Sequence, residues 1–260
     1  MSGYILCQTP KAQNPYFIDN ISTNIYTLEE LCYYLYHNLY LIDHTIINEG
    51  LCTWIGEELK LPKLAMRLLS HIGKFSSAED ILYPIFKEIN YLTYEELRVL
   101  NVQLQKYDKE DPVIRKKKKG DSLVENGIYV NAIQVYQELL MREDLEEIQS
   151  GLTENLYHNL GCAYSYLFQM EKAMECFKEA YRCSQSDAAF KHYLLACRNL
   201  CSENDFENIC IECGISKTIL DEVKSALQEF QSRPEEPMDM ENIPVMLEKM
   251  IKDYHRSTGS

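Results

Sequence analysis

Along most of this chain apolar residues recur every three or four positions, the period of an α-helix with one buried face. Thr27 and Glu30 form a capping box ahead of Leu28, Leu31, Cys32 and Leu35, which share one side of a helix. A second helix spans 48–59 and holds the sole tryptophan, Trp54. Pro62 then opens a segment in which Leu64, Met66, Leu68, Leu69 and Ile72 are apolar nearly all round, which predicts a well-buried helix. Two further capping boxes, Ser76/Glu79 and Thr93/Glu96, start helices near 77–90 and 94–107, and Pro84 is expected to kink the first. Later helices are expected at 187–200, through Tyr193, Leu194 and Cys197, and after Thr218 and Asp221, through Leu220, Val223, Leu227 and Phe230. Residues 231–240 read as a linker. The last segment is amphipathic, with Ile243, Leu247, Met250, Ile251 and Tyr254 on one face. Only 3–26 departs from the helical period. Its β-prone runs at 4–7, 15–18 and 24–26 allow a small hairpin or an irregular arm.

Within the helical region, Tyr157, Leu160, Gly161, Tyr164, Ala173, Phe177 and Ala180 alternate large and small residues at the spacing of two antiparallel helices. Gly120, Leu123, Ala132, Tyr136 and Leu139 repeat the scheme, again with twelve residues from Gly to Ala. The pattern resembles the tetratricopeptide repeat (TPR), with units near 113–141 and 154–182. The resemblance implies an all-α fold: a right-handed α-α superhelix, or TPR-like solenoid, preceded by a helical N-terminal domain. Such repeats stack because a single one cannot bury its apolar face, and they present a concave face to a protein or peptide. Lys116 and Lys119 depart from the family pattern in the first unit. The units lie 41 residues apart rather than about 34, so the link at 142–153 must either bulge or extend the helices. The expected organisation is an N-terminal domain at 1–75, a repeat domain at 76–230, and a linker with C-terminal helix at 231–260.

Composition narrows the function. A net charge of −14 and a pI near 4.9 disfavour a general affinity for nucleic acid or membrane surfaces. No signal-peptide pattern and no membrane-length apolar run is seen, so a cytoplasmic protein is expected. The Tyr-, Ile-, Glu- and Lys-rich composition resembles proteins of AT-rich bacterial genomes. Ten cysteines in a chain of 260 residues fit reduced thiols on apolar helix faces, as at Cys32, Cys162, Cys176 and Cys197.

The first helix of each TPR lines the concave surface, so the resemblance nominates Lys117, Asp121 and Glu125 on one helix, His158, Cys162 and Tyr166 on the next, then His192 and Asn199. The alternative is that these positions are merely solvated or covered. A clamp for a C-terminal carboxylate, known among TPR co-chaperones, is not expected. Lys117 and Asn159 fit two of its places, but Asp121, Ala189 and Tyr193 leave too few cations. The basic run 115–119 points in nearly every direction on a helix and reads as a solvated end balancing Asp108, Glu110 and Asp111. Cys197, Cys201, Cys210 and Cys213 could supply four thiolates to zinc, but their helical and apolar settings favour ordinary cysteines, and neither metal nor cofactor is expected. The acidic pairs Glu29/Glu30, Glu57/Glu58 and Glu95/Glu96 read as exposed helix starts.

No motif for a nucleophile, phosphate cradle or metalloprotease occurs. The leading reading is therefore a non-enzymatic protein- or peptide-binding adaptor. A peptide-responsive regulator is the second. The third is an enzyme in the N-terminal domain, where Tyr33, Tyr36, His37 and Tyr40 form a helical stripe near His44; it requires a pocket around one of the histidines beside a carboxylate. The C-terminal helix is expected either to dock on its own last repeat, to sit in a neighbouring molecule as a homo-oligomer contact, or to await a partner.

Overall fold

A computed structural model describes residues 8–43, 45–72, 79–212, 217–231 and 243–258. They fall into two units, Met1–Asn126 and Gly127–Ser260, each with its own packing.

In the first unit, strands Tyr16–Ile18 (β1) and Thr23–Ile25 (β2) pair antiparallel, Tyr16 opposite Ile25. The expected hairpin therefore exists over two of its three runs; the run at 4–7 lies outside the described residues. The hairpin is held onto the helices by Trp54, whose indole donates to the Asn14 carbonyl at 2.9 Å. Six α-helices follow among the described residues: Leu28–His37 (α1), Glu49–Glu57 (α2), Pro62–Leu69 (α3), Glu79–Glu88 (α4), Tyr94–Lys109 (α5) and Pro112–Glu125 (α6). Thr27/Glu30 and Thr93/Glu96 form complete capping boxes at α1 and α5. The box at Ser76 lies outside the described residues. Leu28, Leu31, Leu35, Leu51, Ile55 and Leu68 are fully buried and build the core.

Four expectations for this unit need correction. α3 is amphipathic rather than buried all round: Leu64, Ala65 and Leu68 are inside, while Met66 and Leu69 are exposed. One face is all that the neighbouring α2 and α4 cover. Glu29 is not at an exposed helix start but buried, its carboxylate accepting from the Gln8 N–H and from the Thr9 hydroxyl. Glu57 and Glu58 end α2 rather than begin a helix, and Glu58 accepts from the Gln13 and Asn14 N–H groups. The basic run does balance Glu110, through Lys118, but it is not merely a solvated end. Lys117 pairs with Asp121 at 2.7 Å, Lys119 with Asp43 at 2.8 Å, and Lys118 with Glu110, while Arg115 lies over the Tyr107 ring. Because the run points in every direction, these four side chains reach four different partners.

The described elements of the second unit are all helices: Tyr129–Leu140 (α7), Leu145–Ile148 (α8), Leu152–Tyr166 (α9), Met170–Ser184 (α10), Asp187–Leu200 (α11), Glu203–Glu212 (α12), Lys217–Gln231 (α13) and Ile243–Thr258 (α14). Helices α7, α9, α10 and α11 pack as successive neighbours. The long link between repeats bulges and carries its own single turn, α8, pinned by buried Leu145. Glu146 then accepts from the Gly151 and Thr153 N–H groups at 2.8 and 3.0 Å, satisfying donors at the start of α9.

The α9–α10 crossing explains its small residue. A Cβ on Gly161 would lie 2.7–3.0 Å from three ring atoms of Phe177. Ala173 and Ala180 are fully buried on the facing helix. Helix α12 was not anticipated, although Phe206 and Cys210 lie one turn apart on its buried side and the Ser202 hydroxyl accepts from the Asp205 N–H. Thr218 and Asp221 are interior to α13 rather than caps. Helix α14 meets α7, and Val245, Leu247, Met250, Ile251 and Tyr254 remain exposed.

Candidate functional site

Helix α9 sets His158, Cys162 and Tyr166 one turn apart on a single face. α11 brings His192 to meet them. His158 Nε2 lies 3.2 Å from His192 Nδ1, with ring centroids 4.6 Å apart. Phe177 stands 5.7 Å from both imidazoles and forms the wall behind them. His158 Nδ1 faces Asn159 Oδ1 at 3.3 Å, and the Cys162 sulfur lies 3.9 Å away.

One set of tautomers satisfies these contacts. Asn159 Oδ1 can only accept, so His158 carries its proton on Nδ1; its Nε2 then accepts from His192 Nδ1–H. Each ring carries one proton in that arrangement. The His192 pKa is accordingly held below its ordinary value, first by burial and then by His158, with the Ala188 carbonyl acting weakly in the other direction. Burial also pushes the Cys162 thiol up, so it is a packing group rather than an activated nucleophile.

Tyr166 extends the same face outward. Its ring stacks on Tyr129 of α7 at 4.6 Å and 4°, and it is 58% exposed. Asn199 turns back on its own helix, donating to the Leu195 carbonyl. Thus His158, Cys162 and His192 form one cluster, Tyr166 borders the face, and Asn199 is spent locally. Lys117, Asp121 and Glu125 lie on α6 of the first unit, where Lys117 and Asp121 neutralise each other and Glu125 is exposed. Sequence reasoning missed Phe177 and Tyr129 as members of this face. The first was visible as the large residue four after Ala173. The second carried no signal, since its role depends on how α7 meets α9.

The turn between α9 and α10 is unusual. Phe168 adopts a left-handed φ of 56° and is 88% exposed, whereas Gly127, seven residues after Gly120 as Phe168 is after Gly161, has φ 77°. A bulky residue in that region is strained.

Two of the four zinc candidates meet in the fold. Cys197 and Cys210 are buried in an apolar cluster with Phe190, Leu194, Phe206 and Val223, and Cys201 is half-buried at the end of α11. Cys213 lies outside the described residues. Among those residues no group of three or more His, Cys, Asp or Glu is arranged to hold a metal ion. In the first unit a cavity does border His37, but Tyr36, Leu39, Tyr40, Gln103, Lys106, Tyr107 and Ser122 complete its lining and no carboxylate is among them. His44 lies outside the described residues.

Residues 154–187 match the tetratricopeptide repeat family. No curated protein matches the chain. No solved structure matches it either. The match covers α9 from its third residue, all of α10 and the first residue of α11, so the chain carries a TPR-type repeat within an all-α fold and a repeat of the kind that mediates protein–protein contacts. No described helix is long and apolar enough to cross a membrane.

Proposed function

We propose, from the premise of a TPR-type repeat at 154–187, that this chain is a non-enzymatic adaptor whose α9–α11 face receives a protein segment. The observation that carries this reading is the pairing of His158 with His192 across successive first helices, bordered by exposed Tyr166. The half-buried imidazoles offer polar contacts to a peptide backbone, and the Tyr129–Tyr166 stack offers a flat apolar anchor of the kind that dominates binding energy. The repeat array at 76–230 and the N-terminal domain at 1–75 are part of the same proposal, as is a protein rather than a nucleic acid partner, given the charge of −14.

Photo-crosslinking from α9 and α11 in native lysate, followed by mass spectrometry, tests it. Capture of a specific protein that is lost in the Tyr166→Ala/His158→Ala variant supports the reading. Equal capture by the variant refutes the assignment of this face.

Helix α14 favours a further element of the proposal, self-association. Its exposed Val245, Leu247, Met250, Ile251 and Tyr254 are costly to leave in water, at about 25 cal/mol per Å². Sedimentation of the chain lacking 241–260 should show a smaller species than the intact protein; identical sedimentation coefficients apart from mass refute it.

A further inference from the structure

The cavity beside His37 has a volume of about 280 Å³ and plays no part in the repeat. Its chemistry is uneven in an informative way. Tyr40 and Tyr107 pack against each other and form one aromatic wall, their ring centroids 5.5 Å apart and tilted 48° to each other. Both rings are braced by cations: the Lys118 ammonium lies 5.0 Å from the Tyr40 centroid and the Arg115 guanidinium 5.1 Å from that of Tyr107. The Tyr40 hydroxyl accepts from Lys118 at 2.9 Å and donates to Glu110 at 3.0 Å, so this wall is fixed rather than floppy.

Gln103 and Lys106 lie one helical turn apart on α5 and give the cavity a polar edge. Lys106 makes no ion pair among the described residues. The carboxylate that feels its charge, Glu110, is itself held by Lys118 and Tyr40. The cavity therefore carries a cation and no lining anion in a protein whose net charge is −14. That local reversal of sign selects for negative charge. Size selects further. A dry cavity of roughly 150 Å³ holds benzene, and sites for drug-sized ligands begin near roughly 300 Å³, so the volume suits one ring with a short charged arm.

We infer that this cavity binds a small aromatic carboxylate, its ring against Tyr40 and Tyr107 and its carboxylate on Lys106 and Gln103. The site is independent of the adaptor face and stands or falls without it.

Isothermal titration of the full chain with three isosteric probes tests the inference: 4-hydroxyphenylacetate, its neutral amide, and the cationic tyramine. The acid should bind saturably, the amide about tenfold more weakly, and tyramine more weakly still. Lys106→Gln should weaken the acid about tenfold while leaving the amide and the urea midpoint unchanged, because the Lys106 side chain is exposed. Lys109→Gln, on the same helix but outside the lining, should change nothing. No saturable binding of any probe, equal affinity for acid and amide, or an acid affinity indifferent to Lys106→Gln would each overturn it.

Discussion

Gly161→Ala places one methyl group where α9 meets α10, and its consequence can be worked from the crossing. The new Cβ would stand 2.7, 2.9 and 3.0 Å from three carbons of the Phe177 ring. Carbon pairs rest at about 3.5–4.0 Å, so the ring must retreat by about 1 Å or the helices must part. Phe177 has little room to retreat, being 6% exposed with His158 and His192 beyond it. Overpacking of this kind costs about 1–3 kcal/mol. Replacing Gly by Ala inside a helix returns about 0.5–1 kcal/mol. The clash outweighs the helix gain, leaving a net loss of about 1–2 kcal/mol. Urea unfolding followed by far-UV circular dichroism, with the slope held common to both proteins, measures it. The double variant Gly161→Ala/Phe177→Leu adds a second readout: removing the ring relieves the clash, so the two effects should fall short of additivity by about 1 kcal/mol. A Gly161→Ala protein as stable as wild type or more so, with strictly additive effects in the double variant, would show that no close crossing exists there.

Three more predictions follow the same reasoning. His192 has a folded pKa below its unfolded value, so in the window between them the unfolded chain binds more protons and stability falls as pH drops below about 6.5; His192→Gln should flatten that decline between pH 7.5 and 5, and a parallel decline in the variant would refute a neutral, half-buried His192. Phe168→Gly relieves a left-handed φ and removes an exposed phenyl, so it should be neutral or stabilise by up to about 1 kcal/mol in the same urea assay; a clear loss would mean the ring has a packing role. Glu110 is raised by burial, but its hydrogen bonds from Lys118 and Tyr40 prevail and hold its pKa below the ordinary value. Its contribution is thus present above the unfolded pKa and lost as acid is added, and Glu110→Gln should cost about 1–2 kcal/mol at pH 7, with no loss refuting the Tyr40–Glu110–Lys118 network.

The helices were legible where a local rule sufficed. Thr27/Glu30 and Thr93/Glu96 satisfy their own N–H groups, so the starts of α1 and α5 could be read without any neighbour. The expected helix at 187–200 is α11, opened by Ser186 accepting from the Ala189 N–H. Gly161, Ala173 and Phe177 were legible as a crossing because their volumes must match whichever hairpin they belong to. Burial was less legible. Met66 and Leu69 look like core in a one-dimensional pattern, and only the extent of α2 and α4 decides that they are not.

The candidate site divides along the same line. Sequence by itself determined that His158, Cys162 and Tyr166 share a face, since residues four apart on a helix must. Only tertiary structure decided that His192 would reach His158, that Tyr129 would back Tyr166, and that Arg115, Lys117, Lys118 and Lys119 would spread over separate partners. Those outcomes depend on the distance and rotation between helices, which packed side-chain volumes set collectively and no short window of residues encodes.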